Sequence, residues 1–86
     1  MTNKQMIDVL STYSELLKKE GHKFERNGDA KEREARLNHA LWMCRETINF
    51  VREEKLDKAN RWMGFIQGVL WTYNIYSVDE MRDHNR

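Results

Sequence analysis

Eighty-six residues, 40% hydrophobic and 34% charged, with no proline, leave room for one modest core and favour helices over sheet. The net charge of +1 is balanced along the chain: residues 1–28 carry five basic and four acidic side chains, 29–56 six and six, 57–86 four and four. With no basic half, tail or stripe, the footprint of a duplex-nucleic-acid binder is missing, as is that of a polybasic membrane patch.

The chain opens MTNKQMIDVL, polar first and without an apolar signal core, and no run reaches the roughly 18 apolar residues of a membrane span. A single cytoplasmic domain over residues 1–86, with no membrane insertion, is the expectation. Thr2 and Gln5 have capping-box spacing, which starts a first helix at about Asn3. Met6, Val9, Leu10, Tyr13, Leu16 and Leu17 form one apolar stripe opposite Lys4, Asp8, Ser11, Glu15 and Lys18. Gly21, after two lysines and Glu20, reads as the C-terminal cap. A connector from His22 to Gly28 follows, with Asn27-Gly28-Asp29 as its turn and Phe24 expected to fold over the core edge.

Asp29, with Glu32 three residues on, reads as the cap of a second helix running to about Glu54. Leu37, Leu41, Cys44, Ile48 and Val51 make a heptad seam, and Ala40, Met43, Thr47 and Phe50 a second stripe beside it. So wide an apolar surface needs two neighbouring helices. Cys44 is the only cysteine, which excludes an internal disulfide and fits a reducing cytosol; its place in the seam makes it a buried small hydrophobe, not a nucleophile. Trp42 falls outside both stripes. It either lies under the C-terminal tail or marks a contact with another molecule.

Asp57 reads as the cap of a third helix whose seam is Ala59, Met63, Ile66, Leu70 and Tyr73. Trp62, Phe65 and Val69 flank that seam, and Gly64, Gly68, Trp71 and Ile75 occupy the remaining face. This helix is apolar almost all round, more than one hairpin partner can cover. Two glycines four residues apart invite the approach of another backbone, each at a cost of about 1 kcal/mol against alanine. Either a second subunit supplies that backbone, or the tail folds back with Tyr76 and Met81 against the glycines. Ser77-Val78-Asp79-Glu80 is a capping box for a fourth helix, about Val78 to His84, after a bend at Asn74–Tyr76.

Chemistry-bearing patterns are few. His22, His39 and His84 share no metal-ligand spacing, and no phosphate loop or paired carboxylates on an apolar background occur. The expectation is a protein that is not an enzyme and takes no metal or cofactor.

The stretch from Ala59 to Trp71 (ANRWMGFIQGVLW), followed by Tyr76-Ser77-Val78-Asp79-Glu80-Met81 and the ending His84-Asn85-Arg86, resembles the C-terminal signature of small accessory proteins of tailed bacteriophages. The resemblance covers roughly the last 30 residues. It implies a context, the infected bacterial cytoplasm, in which such proteins neutralise a host factor, tune lysis or sequester a nucleotide signal. Helical-hairpin sponges for cyclic oligonucleotides are loosely similar, through Gln67, Gly68 and Trp71.

These readings combine into an all-α fold: a long antiparallel hairpin of the second and third helices, a first helix packed across it, and a short C-terminal helix. The expected function is binding and modulation of a host or phage protein (host takeover or anti-defence) by a dimer or higher oligomer. Its interface comprises Trp42, Trp62, Gly64, Phe65, Gly68, Trp71 and Ile75. The alternative is a sponge for a small nucleotide signal, with Arg61, Gln67 and Arg86 as ligand contacts and an aromatic stacked on the base.

Overall fold

A computed structural model describes residues 1–86 as four α-helices: α1 (Asn3–Lys19), α2 (Arg33–Arg52), α3 (Leu56–Thr72) and α4 (Val78–His84). The two ends of this series are set by local chemistry. Thr2 accepts from the Gln5 backbone N–H while Gln5 returns a bond to the Thr2 N–H, and Ser77 and Glu80 do the same for α4. Both capping boxes therefore start their helices where the spacing predicts. Ser77→Ala should cost about 1 kcal/mol and fray α4 while α1–α3 hold; unchanged amide exchange in residues 78–84 would remove that role.

The starts of α2 and α3 differ from the sequence expectation. Neither Asp29 nor Asp57 is a cap. The caps are Glu32 and Lys55, and neither makes a side-chain capping bond. Asp29 is instead spent in a turn closed by the Ala30 N–H on the Asn27 carbonyl at 3.1 Å, and Arg36 holds the Ala30 carbonyl at 2.8 Å. These bonds delay α2 to Arg33. Asp57 is displaced into the first turn of α3, where it still faces the positive end of the helix dipole.

Three helices end in the same way. The Gly21, Glu54 and Asn74 N–H groups bond the carbonyls three residues back, and the following N–H groups of His22, Lys55 and Ile75 reach Leu17, Phe50 and Leu70. These are Schellman motifs, and each needs a left-handed residue. Gly21 meets that demand freely at φ 94°, and Asn74 (φ 60°) tolerates it, but Glu54 at φ 61° is a strained choice. Glu54→Gly is expected to raise stability by about 0.5–1 kcal/mol, read as a higher urea midpoint. A lower midpoint would mean that the Glu54 side chain contributes more than its backbone costs.

The core draws on every helix: Met6, Leu10, Tyr13 and Leu17 from α1, Leu37, Leu41, Met43, Cys44 and Val51 from α2, Ala59, Met63, Ile66 and Leu70 from α3, and Met81 from α4. The central element is α2, which packs against both α1 and α3, as its two apolar stripes require. The radius of gyration is 12.0 Å, the value of about 12 Å expected for a compact domain of this length, so no segment stands off the body. No helix is long and apolar enough to cross a membrane.

Phe24 lies at the edge where α1 meets α2, beside Ser14 and Ile48. It stays 38% exposed, held between the Lys18 ammonium and the Arg45 guanidinium, 5.3 and 4.6 Å from its ring centre. The rest of the connector is tied to the first half of α2. Asn38, buried on α2, accepts at Oδ1 from the Lys23 N–H and from Nδ1 of His22, at 3.2 and 3.1 Å.

Candidate functional site

Two regions of the fold carry side chains beyond what packing alone explains. The first is polar and internal. Gln67 donates from Nε2 to the Tyr13 hydroxyl at 3.1 Å and to Asn85 Oδ1 at 2.9 Å, and its own carbonyl accepts from Asn85 Nδ2 at 3.3 Å. The Tyr13 hydroxyl also shares a hydrogen bond with Nδ1 of His84, 2.8 Å away, its direction set by the imidazole tautomer. Burial pushes the Tyr13 pKa above its usual range, which keeps the hydroxyl protonated. Tyr76 completes the cluster, its ring 5.2 Å from Tyr13 and 4.7 Å from His84. This network fastens α4 and the tail to α1 and α3.

Gln67 is therefore a structural bridge with both amide donors engaged, which leaves it none for a ligand. Arg86 pairs with Asp83 at 3.4 Å, and its carbonyl accepts from Gln5. Arg61 is exposed and makes no hydrogen bond or ion pair with either. No hydrogen bond or ion pair joins Arg61, Gln67 and Arg86, the three residues expected to contact a nucleotide, to one another. No group of three or more His, Cys, Asp or Glu side chains is placed to hold a metal ion.

The second region is the outward face of α3. Phe65 is 57% exposed and Trp71 54% exposed, and Gly64 and Gly68 lie open on the same side of the helix. A Cβ built on either glycine meets nothing within 4 Å. The tail accordingly does not fold back over the glycines. Met81 turns into the core instead, and Asn85 is engaged by Gln67. Beside Gly68 runs a groove of about 520 Å³, with Phe65, Val69, Trp71 and Tyr73 on one wall and Asn27, Gly28, Ala30, Arg36 and His39 on the other.

The remaining expected interface residues are packed into the molecule. Trp62 is half-buried, edge-on to Phe50 at 4.9 Å and 5.8 Å from Trp42, with Lys58 over both Trp62 and Phe50. Trp42 lies under neither the tail nor open solvent: it stacks on His39 at 5.4 Å, and Arg26 of the connector sits 5.5 Å over its ring. Ile75 packs against the core beyond the end of α3. Cys44 is fully buried, its thiol pushed up to about 12 by desolvation, and is inert to reagents that attack thiolates.

His39 holds the groove's loop wall. Its Nδ1 accepts the Asn27 N–H at 2.9 Å. Burial, and then the charge of Arg26, hold its pKa below the ordinary histidine value. A depressed histidine binds its proton more weakly in the fold than in the unfolded chain. Its contribution is thus complete above about pH 6.5 and is lost as pH falls through the folded value. The Asn27 amide resonance should report this, moving below pH 6.5 as the loop loosens; an amide that does not titrate there would overturn the assignment. Comparison with protein-family models, curated proteins and solved structures finds no match for this chain.

Proposed function

We propose that this chain is a non-enzymatic accessory protein of the bacteriophage type that binds protein partners through the open face of α3 and works as a homo-oligomer. In this reading α2 and α3 form an antiparallel hairpin with α1 laid across it, and α4 is latched to α1 and α3. That arrangement presents Gly64, Phe65, Gly68 and Trp71 outward as one surface. The phage context rests on the C-terminal signature, and the target is a host or phage protein whose activity is modulated by docking.

The observation that carries the reading is the pair of exposed aromatics on either side of an uncovered glycine. A large apolar side chain gains about 1.5–3 kcal/mol on full burial, and Phe65 and Trp71, each more than half exposed, collect only part of that gain within the single chain. Such residues are the anchors that interfaces use. Sequestration of a small nucleotide is the second reading, favoured by one feature: Arg36 lies in the groove with the aromatic wall, its guanidinium 3.2 Å from the Tyr73 hydroxyl.

A photo-crosslinking residue placed at position 71, and at Asp8 on the far side as control, tests the proposal in producing cells. Protein adducts from position 71 and none from position 8 are expected. No protein adduct at 71, together with thermal stabilisation by a nucleotide, would replace the protein-binding reading with the sponge.

A further inference from the structure

Resting on that reading of the α3 face, we infer that its first occupant is a second copy of this chain, bound antiparallel about a two-fold axis that passes at Gly68. The argument begins with helical geometry. Residues three before and three after Gly68 project about 60° to either side of it, so Phe65 and Trp71 stand as two ridges with Gly68 on the floor between them. Gly64 and Thr72 lie on the same floor, one turn away in each direction. Thr72 turns its hydroxyl back onto the Gly68 carbonyl at 2.8 Å, which removes its polar end from the surface. The floor has no Cβ at two of three positions, and a Cβ built at either glycine meets nothing within 4 Å.

This surface is complementary to itself. In a two-fold antiparallel pair, residues equidistant from the axis meet. Phe65 then faces Trp71 of the second copy, and Gly64 faces Thr72, while the two Gly68 positions cross where the backbones come closest. Each copy therefore supplies a ridge where the other supplies a trough. A parallel pair lacks this match, setting Trp71 on Trp71 and Gly64 on Gly64.

Charge points the same way. No charged residue occurs between Arg61 and Asp79, so the α3 part of the face carries no charge that repels its own copy. Arg36 is the charge on the adjoining groove wall, turned onto the Tyr73 hydroxyl, and Arg61 is the α3 charge nearest the face. Antiparallel pairing places the two Arg61 positions about 21 Å apart along the axis, beyond the screening length of about 8 Å at physiological salt, whereas parallel pairing sets them opposite each other. A standard interface takes about 800 Å² from each partner, about a seventh of the 5546 Å² surface of this chain. The last three turns of α3 offer the apolar part of that area, and the adjoining groove, with Asn27, Arg36 and His39 on its far wall, offers a polar rim.

Sedimentation equilibrium of the purified full-length chain provides the first test, with a concentration-dependent dimer expected. Gly68→Leu should keep the helical circular dichroism spectrum, because its side chain enters open space in the single chain. It should weaken the dimer by roughly tenfold or more through overpacking at the axis. Trp71→Ser provides a second variant whose folding is not at issue, since the residue is exposed, and it too should dissociate the pair. Register is then read by mixing Gly64→Cys with Thr72→Cys under mild oxidation, Cys44 being buried and silent. A mixed disulfide faster than either self-disulfide supports the antiparallel pair centred on Gly68; a dominant 64–64 disulfide overturns it. A wild type that stays monomeric at high micromolar concentration overturns the inference but leaves the protein-binding reading standing if position 71 still crosslinks to another protein.

Discussion

Leu41→Ala is expected to cost about 2–5 kcal/mol, a large share of what holds this domain together. At 0.05–0.15 kcal/mol per residue, a chain of this size has roughly 4–13 kcal/mol in total. Leu41 is fully buried at the middle of α2, the helix that both α1 and α3 pack against. A cavity opened at so fully buried a position is costly because the packed neighbours relax into it only in part. Leu41→Met, which conserves volume, should cost less than about 1.5 kcal/mol. Urea denaturation of the two variants separates the terms. If the alanine variant loses under 1 kcal/mol, or the two variants lose equally, α2 is not the keystone of the core.

The two stripes on α2 made this position legible in advance, because heptad spacing is a property of the helix alone. Leu37, Leu41, Cys44 and Val51 are buried, as are Ala40, Met43 and Thr47, while Ile48 and Phe50 of the same stripes are half-buried. The starts of α1 and α4 were legible for a similar reason: a capping box closes within four residues and needs no tertiary partner. Asp29 and Asp57 have equally plausible local spacing, yet the connector's turn and the Schellman bond from Lys55 to Phe50 claim that backbone first. Competition between neighbouring local motifs is not visible in either motif by itself.

Function-bearing residues divide along the same line. The open face of α3 could be anticipated because its apolar width exceeds what neighbouring helices cover, and Phe65, Gly68 and Trp71 are indeed left open. Trp42 could not be placed, since its cover comes from Arg26, a residue whose position depends on the path of the whole connector. The role of Gln67 as a bridge to α1 and the tail is not legible for a related reason. Its partners lie 54 and 18 residues away in sequence, and no spacing rule links a glutamine on α3 to a tyrosine on α1. Asn38 is a further case: a buried asparagine signals a buried bond, but not that the bond secures His22 and Lys23.

Tyr13→Ala should cost about 3–5 kcal/mol, the range for removing a buried aromatic side chain, and should release α4 before the rest of the fold gives way. Tyr13 is 1% exposed, and three separate elements meet on it: the Tyr76 ring before α4, the His84 ring at its end, and the Gln67 amide from α3. A helix of seven residues is far too short to persist in water by itself, so its order depends on Met81 in the core and on this cluster. Tyr13→Phe isolates the hydroxyl. It keeps the ring contacts and deletes the hydroxyl that Gln67 and His84 both bond, a change of about 0.5–1.5 kcal/mol because water can reach the freed groups. Combining Tyr13→Phe with Gln67→Leu should cost less than the two changes made singly, since each removes the same bond. Hydrogen exchange at the Met81 and Asn85 amides, which bond Ser77 and Met81 within α4, reads the latch directly. Both amides should lose protection in Tyr13→Ala while α2 amides keep theirs. Equal loss across all four helices would show that Tyr13 acts only as core volume, and strictly additive costs in the double variant would break the link between Gln67 and the tail.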